Sequence, residues 1–305
     1  VTSASDRFSG YCGGRLPGVL WIVASATGFG TMAIFAKTAY GDGVGLEALL
    51  FLRFALAGGL MAAFLCLSGR PWPVRPLWPG LLVMGGVGYV GQSYCYFAAL
   101  HHASAGLTAL LLYLYPVLVT LLAAVLGRQA LNRRKVLAVA IACCGTLLTI
   151  GGQLTGSPLG IGLGLGAALI YSCYILAGER LTAQAGPLAA STVIMLAAAV
   201  VYGVLAIWRD SPWPASAAGW GAVFGIVLLS TILGMVGFFA GMARLGAADA
   251  ATLSTLEPVV TVLLAALFLG ESVGLWQVAG GALILSAVLL LAREGAPPQG
   301  RGDSA

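Results

Sequence analysis

The sequence is short of charge. Only 8% of its 305 residues are Asp, Glu, Lys or Arg, against 60% hydrophobic, and the mean hydropathy is +0.98. A water-soluble globule of this size needs far more polar surface, so the solvent of this chain is mostly lipid. Long polar stretches are also missing, which leaves no room for a soluble domain between the apolar runs. The net charge of +5 comes with no basic arm and no aromatic-interleaved basic patch, which excludes a nucleic-acid partner. No CxxC or Cys/His ligand spacing occurs, and His101-His102 stands without further ligands, so neither a metal site nor a cofactor is expected. The run from Gly160 to Gly166 lacks GxGxxG spacing because position 165 is Leu, and no GK[ST] follows any glycine run. Dinucleotide and ATP binding are thereby excluded. Paired acids inside an apolar run, which an intramembrane enzyme would need, are absent too.

What is present is a succession of apolar runs, at about 18–37, 46–67, 77–100, 104–126, 134–151, 158–178, 188–207, 218–242, 249–269 and 275–292. Each is near the roughly 20 residues that cross about 30 Å of hydrocarbon as a helix. Open strands in lipid would leave backbone groups unpaired, and no alternating barrel pattern occurs, so the fold class is an all-α membrane protein with ten transmembrane helices. The first run continues past the small residues Ala24, Ser25 and Ala26 to Ala36, so it reads as a span rather than a cleaved signal. Five cysteines (Cys66, Cys95, Cys143, Cys144, Cys173) fall inside apolar runs and read as small buried hydrophobes. Tails at 1–17 and 293–305 are Gly/Pro/Ser-rich and read as disordered; Arg301-Gly302-Asp303 is an adhesion tripeptide by spelling only.

Basic residues set the orientation. With the N-terminus inside, cytoplasmic segments hold twelve (Arg7, Arg15, Arg70, Arg75, Arg128, Arg133, Arg134, Lys135, Arg180, Arg244, Arg293, Arg301), outer segments hold Lys37 and Arg209, and Arg53 lies within a span. Both termini are therefore expected on the cytoplasmic side of an inner membrane.

The chain also repeats itself. A shift of 142 brings Leu121-Leu122-Ala123-Ala124 onto Leu263-Leu264-Ala265-Ala266, Pro116 onto Pro258, Phe97-Ala98 onto Phe239-Ala240 and Trp78 onto Trp220; a shift of 141 brings Pro71-Trp72-Pro73 onto Pro212-Trp213-Pro214. Repeats at 18–151 and 158–292 would each hold five spans, and an odd number makes them inverted. Two inverted five-helix repeats around a midplane site are the architecture of secondary transporters.

With Leu52-Arg53-Phe54 in the second span, Leu256-Glu257-Pro258 in the ninth and Gly270-Glu271 after it, the chain resembles the EamA-type family of the drug/metabolite transporter superfamily. The resemblance covers about 18–292. It implies an inner-membrane exporter or importer of amino acids, nucleobases or similar metabolites, with a cavity lined mainly by spans one, three, four, six, eight and nine; export is the direction expected. The first half departs from the pattern: Tyr115 stands where Glu257 precedes the proline in the second half, and Arg128 where Glu271 follows the glycine. Any proton coupling would then run through one acid rather than two.

That acid is Glu257, the one carboxylate well inside a span, roughly 12 Å deep at 1.5 Å per residue. A charge there must face a cavity, pair, or hold a proton, which allows alternate loading with substrate and proton. Arg53 is the one in-span base, expected either to meet Glu257, to bind a substrate carboxylate, or to fix helix contacts. Polar residues at helical spacing add Tyr89, Gln92 and Tyr96 on span three and Ser254, Glu257 and Thr261 on span nine. Tyr115, Tyr171 and Tyr174 complete the substrate-binding candidates, and this aromatic lining suits a ligand with a flat or apolar part. Pro116 and Pro258 are candidate hinges at mated depths. Arg244 and Asp249 are expected to pair across their turn. The partners expected are a small-molecule substrate and the lipid bilayer, with the chain a monomer or homodimer. The alternatives are a lipid flippase of the same fold and, less favoured, an intramembrane enzyme.

Overall fold

The computed structural model describes residues 15–100, 102–103, 108, 111–127, 132–150, 156–269 and 274–292. Most of the 1–17 tail, the whole 293–305 tail, His101, Arg128 and Glu271 lie outside the described residues. Among those described, the regular structure is helical apart from one antiparallel bridge between Ala103 and Gly156.

We number the helical segments in chain order, joining pieces that continue one another. They are α1 (Arg15–Gly41), α2 (Leu46–Leu67), α3 (78–100), α4 (Tyr115–Val125), α5 (Arg133–Ile150), α6 (Pro158–Ala185), α7 (Pro187–Trp208), α8 (Ala217–Leu245), α9 (Ala247–Leu253 followed by Leu256–Leu269) and α10 (Leu275–Ala292). Six of them, α1, α2, α6, α7, α8 and α9, are long and apolar enough to cross a membrane. The boundaries follow local chemistry. Ser157 accepts the Gly160 N–H at the start of α6 with Pro158 in its first turn, and Ser216 does the same for Gly219 ahead of α8. Gly186 and Gly246 end α6 and α8 with φ of +81° and +85°, the left-handed region that glycine enters without strain. α6 runs to Ala185, beyond the apolar run expected to stop near 178, and so carries Glu179 and Arg180 on a helix.

Three interruptions shape the middle of the molecule. α1 breaks at Thr31, whose hydroxyl donates to Gly28 O at 2.6 Å and shares a 3.0 Å hydrogen bond with Ser230. α3 and α8 each contain a π-helical turn, Met84–Tyr89 and Ile226–Leu233, starting 142 residues apart. Neighbouring backbones press on both: a β-carbon at Gly85 would overlap the Ile194 carbonyl of α7, and one at Gly28 would overlap the Leu229 carbonyl of α8.

The packing has a regular plan. α2 lies along α7 and α5 along α10; α1 packs on α8 as α3 packs on α6, and α4 meets the first part of α9. Outward faces are as apolar as the interior: Leu67, Val125 and Ile207 are all more than 80% exposed. Such a surface is stable only against lipid, and the chain is a multi-pass membrane protein. Cys66, Cys144 and Cys173 are exposed on this surface rather than buried as expected, because hydrophobicity does not separate core from lipid face in such a protein.

Polar groups gather at the two ends. At one, the buried Asp249 receives Arg15 Nη2 at 2.9 Å and Lys135 Nζ at 3.0 Å, fastening α1, α5 and α9 together. Asp249 therefore does not meet Arg244 as expected; the Arg244 guanidinium turns back along its own helix to Ala240 O at 2.7 Å. Glu179 accepts the Ala247 N–H at 2.9 Å and so caps the start of α9 from α6. At the other end, Arg209 pairs with Glu47 at 2.9 Å, and Asp42 accepts the Ala215 and Ser216 N–H groups at 3.0 and 3.1 Å. Hydrogen bonds from Ser216, side chain first, hold the Asp42 carboxyl below its ordinary value.

Candidate functional site: an aromatic cavity with one carboxylate

Between these ends lies a cavity of about 110 Å³. Its walls come from α1 (Phe29, Met32), α3 (Tyr89, Gln92), the residues at and before the start of α4 (Leu112, Tyr113, Tyr115), α6 (Tyr171, Tyr174), α8 (Met235, Phe238, Phe239) and α9 (Glu257). These six helices stand at the places in chain order that the resemblance implies for the cavity.

Each interruption places a lining group. Phe29 and Met32 flank the Thr31 break, Tyr89 ends the π turn of α3, and Glu257 sits in the first turn of the second α9 piece, after the Ser254–Thr255 turn. The Glu257 N–H is taken by Ser254 O at 3.0 Å, and what the helix start offers its carboxylate is the positive end of the dipole. Pro258 follows in the same first turn, where a missing N–H costs nothing. Pro116 occupies the corresponding place at the start of α4, after the Tyr113–Leu114 turn.

The rings interlock. Tyr115 meets Tyr171 edge-on at 4.8 Å, Tyr171 stacks near Tyr174 at 6.1 Å, and Tyr174 meets Tyr89 edge-on at 5.7 Å. Tyr115 donates to Ala251 O at 3.3 Å and Tyr174 to Met235 Sδ at 3.9 Å, so these rings are fixed rather than free to rotate. Glu257 is half-buried and open to the cavity. Among the described residues no hydrogen bond or ion pair reaches its side-chain oxygens, and no lining side chain carries a positive charge. Such a site can take a cation, an ammonium group or a proton on the carboxylate, with a flat or apolar part against the rings.

Known proteins decide the family. The model of the EamA-like transporter family matches residues 16–151 and again 158–293. The chain belongs to the EamA-like transporter family. It is 28% identical to the threonine/homoserine exporter RhtA of Escherichia coli K12, over 90% of each chain, and 27% identical to the uncharacterized transporter YcbK of Bacillus subtilis, over 86% of this chain and 88% of that one. A solved crystal structure shares the fold with a TM-score of 0.78 at 24% identity, covering 90% of this chain and 95% of that one. The family and its relatives are transporters rather than enzymes.

In this EamA-like chain the candidates divide. Glu257, Tyr89, Gln92, Tyr115, Tyr171 and Tyr174 line one cavity together. Arg53, Tyr96, Ser254 and Thr261 do not line it. Arg53 is one layer behind, donating through Nη2 to the Tyr89 hydroxyl at 3.2 Å and through Nε to Thr231 Oγ1 at 2.8 Å. Ser254 donates to Ala250 O at 2.9 Å, while Thr261 reaches Glu257 O at 3.1 Å and Gly30 O at 3.3 Å, which ties α9 to the α1 break. The Ser254 hydroxyl is thus spent within α9 and that of Thr261 on joining α9 to α1. Sequence reasoning missed Phe29, Met32, Leu112, Tyr113, Met235, Phe238 and Phe239. Phe239 had a signal, since it is the repeat mate of Phe97; the other apolar residues look like core.

Proposed function

We propose that this protein moves a small metabolite of the amino acid or nucleobase class outward across the inner membrane by alternating access, with Glu257 taking substrate and proton in turn. The observation that carries the proposal is the unpartnered Glu257 carboxylate facing a cavity of fixed aromatic rings. A carboxylate so placed must find its partner in what enters the cavity. The likeness to the threonine/homoserine exporter RhtA makes amino acids the first substrates to test. The twelve-to-two distribution of basic residues supports a cytoplasmic location for the Arg15–Lys135–Asp249 end.

Ten spans in two inverted halves, at 18–151 and 158–292, are part of the same proposal. Three observations support it: the double match of the family model, the 142-residue separation of the two π turns, and the packing plan. Exchanging each helix with the one five places along turns the α1–α8 contact into α6–α3 and leaves α2–α7, α4–α9 and α5–α10 unchanged. Pro116 and Pro258, each just past a two-residue turn, are the hinges it would use.

The test is reconstitution into liposomes with labelled amino acids inside and an imposed pH gradient. Gradient-dependent efflux that is lost in Glu257→Gln is the expected outcome. Normal gradient-driven efflux by that variant would remove Glu257 from the coupling role.

A further inference from the structure

We propose that Arg53 is a positioning residue that ties the π-helical turns of α3 and α8 to each other through one guanidinium, so that two walls of the cavity are held as a unit. Arg53 projects from α2 and is 5% exposed. Nε donates to Thr231 Oγ1 at 2.8 Å and Nη2 to the Tyr89 hydroxyl at 3.2 Å, while the Phe54 ring lies 5.0 Å from Cζ.

The two acceptors are not arbitrary. Tyr89 and Thr231 are 142 residues apart, and each is the sixth residue of its π turn. One side chain thus reaches mated positions in both proposed halves. The position mated to Arg53 itself is Met195, an apolar residue on α7, so the tie is single and lopsided.

Its geometry is directional. Thr231 gives its own proton to Ile226 O at 2.8 Å, five residues back across the π turn, so its oxygen is left to accept from Arg53. The guanidinium therefore braces a turn whose backbone bonds are looser than those of an α-helix. On the other side Tyr89 is pinned at the hydroxyl by Arg53 and at the ring by edge contacts with Phe54 at 5.1 Å and Tyr174 at 5.7 Å. Tyr89 is a cavity wall, and Met235, Phe238 and Phe239 follow on the same helix as Thr231. Arginine keeps its charge at all working pH values, so the tie does not depend on protonation. It also does not depend on what the cavity carries.

Hydrogen–deuterium exchange of the full chain in nanodiscs, read over 84–89 and 226–233, tests the tie. Arg53→Met keeps the apolar stem and removes the donors; exchange in both turns should accelerate about ten-fold or more, with α5 and α10 unchanged. Tyr89→Phe and Thr231→Val, made singly and together, should be coupled in the presence of Arg53, the double variant departing from the product of the singles by about three-fold, and uncoupled in the Arg53→Met background. A merely structural arginine would give no such conditional coupling. Acceleration in one turn only, or coupling that survives Arg53→Met, overturns the proposal. Should Arg53→Met not fold, the Tyr89–Thr231 cycle decides alone, and strict additivity in it is the overturning result.

Discussion

Asp249→Asn removes the charge at the Arg15–Lys135–Asp249 junction, and its cost can be worked from the geometry. The carboxylate is 2% exposed, and its two partners, at 2.9 and 3.0 Å, are 19% and 17% exposed. Exposed ion pairs contribute roughly 0–1 kcal/mol each, whereas stranding the partner of a buried pair costs about 3–5 kcal/mol. This junction lies nearer the buried limit, with two cations losing one carboxylate at once, but asparagine keeps one oxygen that can accept from one of them. The net loss should be about 2–3 kcal/mol. At roughly 2–4 °C per kcal/mol, the scale for soluble domains somewhat smaller than this chain, the unfolding midpoint should fall by about 5–10 °C. Thermal unfolding in nanodiscs, followed by tryptophan fluorescence, measures it. Arg15→Gln and Lys135→Gln should each cost less than Asp249→Asn, because Asp249 then keeps one cation, and 0.5 M salt should leave the wild-type midpoint nearly unchanged. A drop below about 1 °C for Asp249→Asn, or a wild type that salt destabilises as much as the mutation does, would show a solvent-screened surface contact and refute the reasoning.

Three further outcomes are expected. Gly85→Ala should destabilise by about 1–3 kcal/mol, since its β-carbon would meet the Ile194 carbonyl and the Ala197 β-carbon, while Gly221→Ala, with open space and a helical position, should be neutral or stabilising; paired melting curves distinguish them. Asp42→Ala should lower stability at neutral pH. Because the folded-state carboxyl is held below its ordinary value, the difference from wild type should shrink as pH falls through that lowered value, a trend that a pH series of melts reads directly. Tyr115→Phe, which loses the hydroxyl and its bond to Ala251 O, should cost about 1 kcal/mol in stability and leave the ring packing on Tyr171 intact, whereas Tyr115→Ala should cost several-fold more.

How much of this was legible in the sequence depends on which physical signal each feature leaves. The edges of α2 and α10 are where hydropathy places them, at Leu46–Leu67 and Leu275–Ala292, because a span must be apolar end to end. The π turns and the Thr31 break left no such mark in hydropathy: the α8 turn is built of ordinary helix and strand formers, and Gly85, Gly86 and Gly88 of the α3 turn read as close-packing residues, which the approach of α7 to Gly85 bears out for one of them. Glu257 stood out because a lone acid in lipid is costly, and Tyr89, Gln92, Tyr115, Tyr171 and Tyr174 because polar atoms at helical spacing face inward. Phe29 and Phe238 could not be told from core. Arg53 was visible as a buried base, but its direction was not; only tertiary structure shows that it turns to Thr231 and Tyr89 rather than into the cavity. Ser254 and Thr261 share the polar stripe of Glu257, yet their hydroxyls are spent on backbone carbonyls, Ser254 on Ala250 O of its own helix and Thr261 on Glu257 O and on Gly30 O at the α1 break.

The most direct measurement is amino-acid efflux from proteoliposomes, threonine first, with and without a pH gradient, for wild type and Glu257→Gln. The account predicts gradient-stimulated efflux by the wild type and loss of that stimulation in the variant, with the fold intact by thermal melting. Efflux by Glu257→Gln that keeps its full response to the gradient would contradict it.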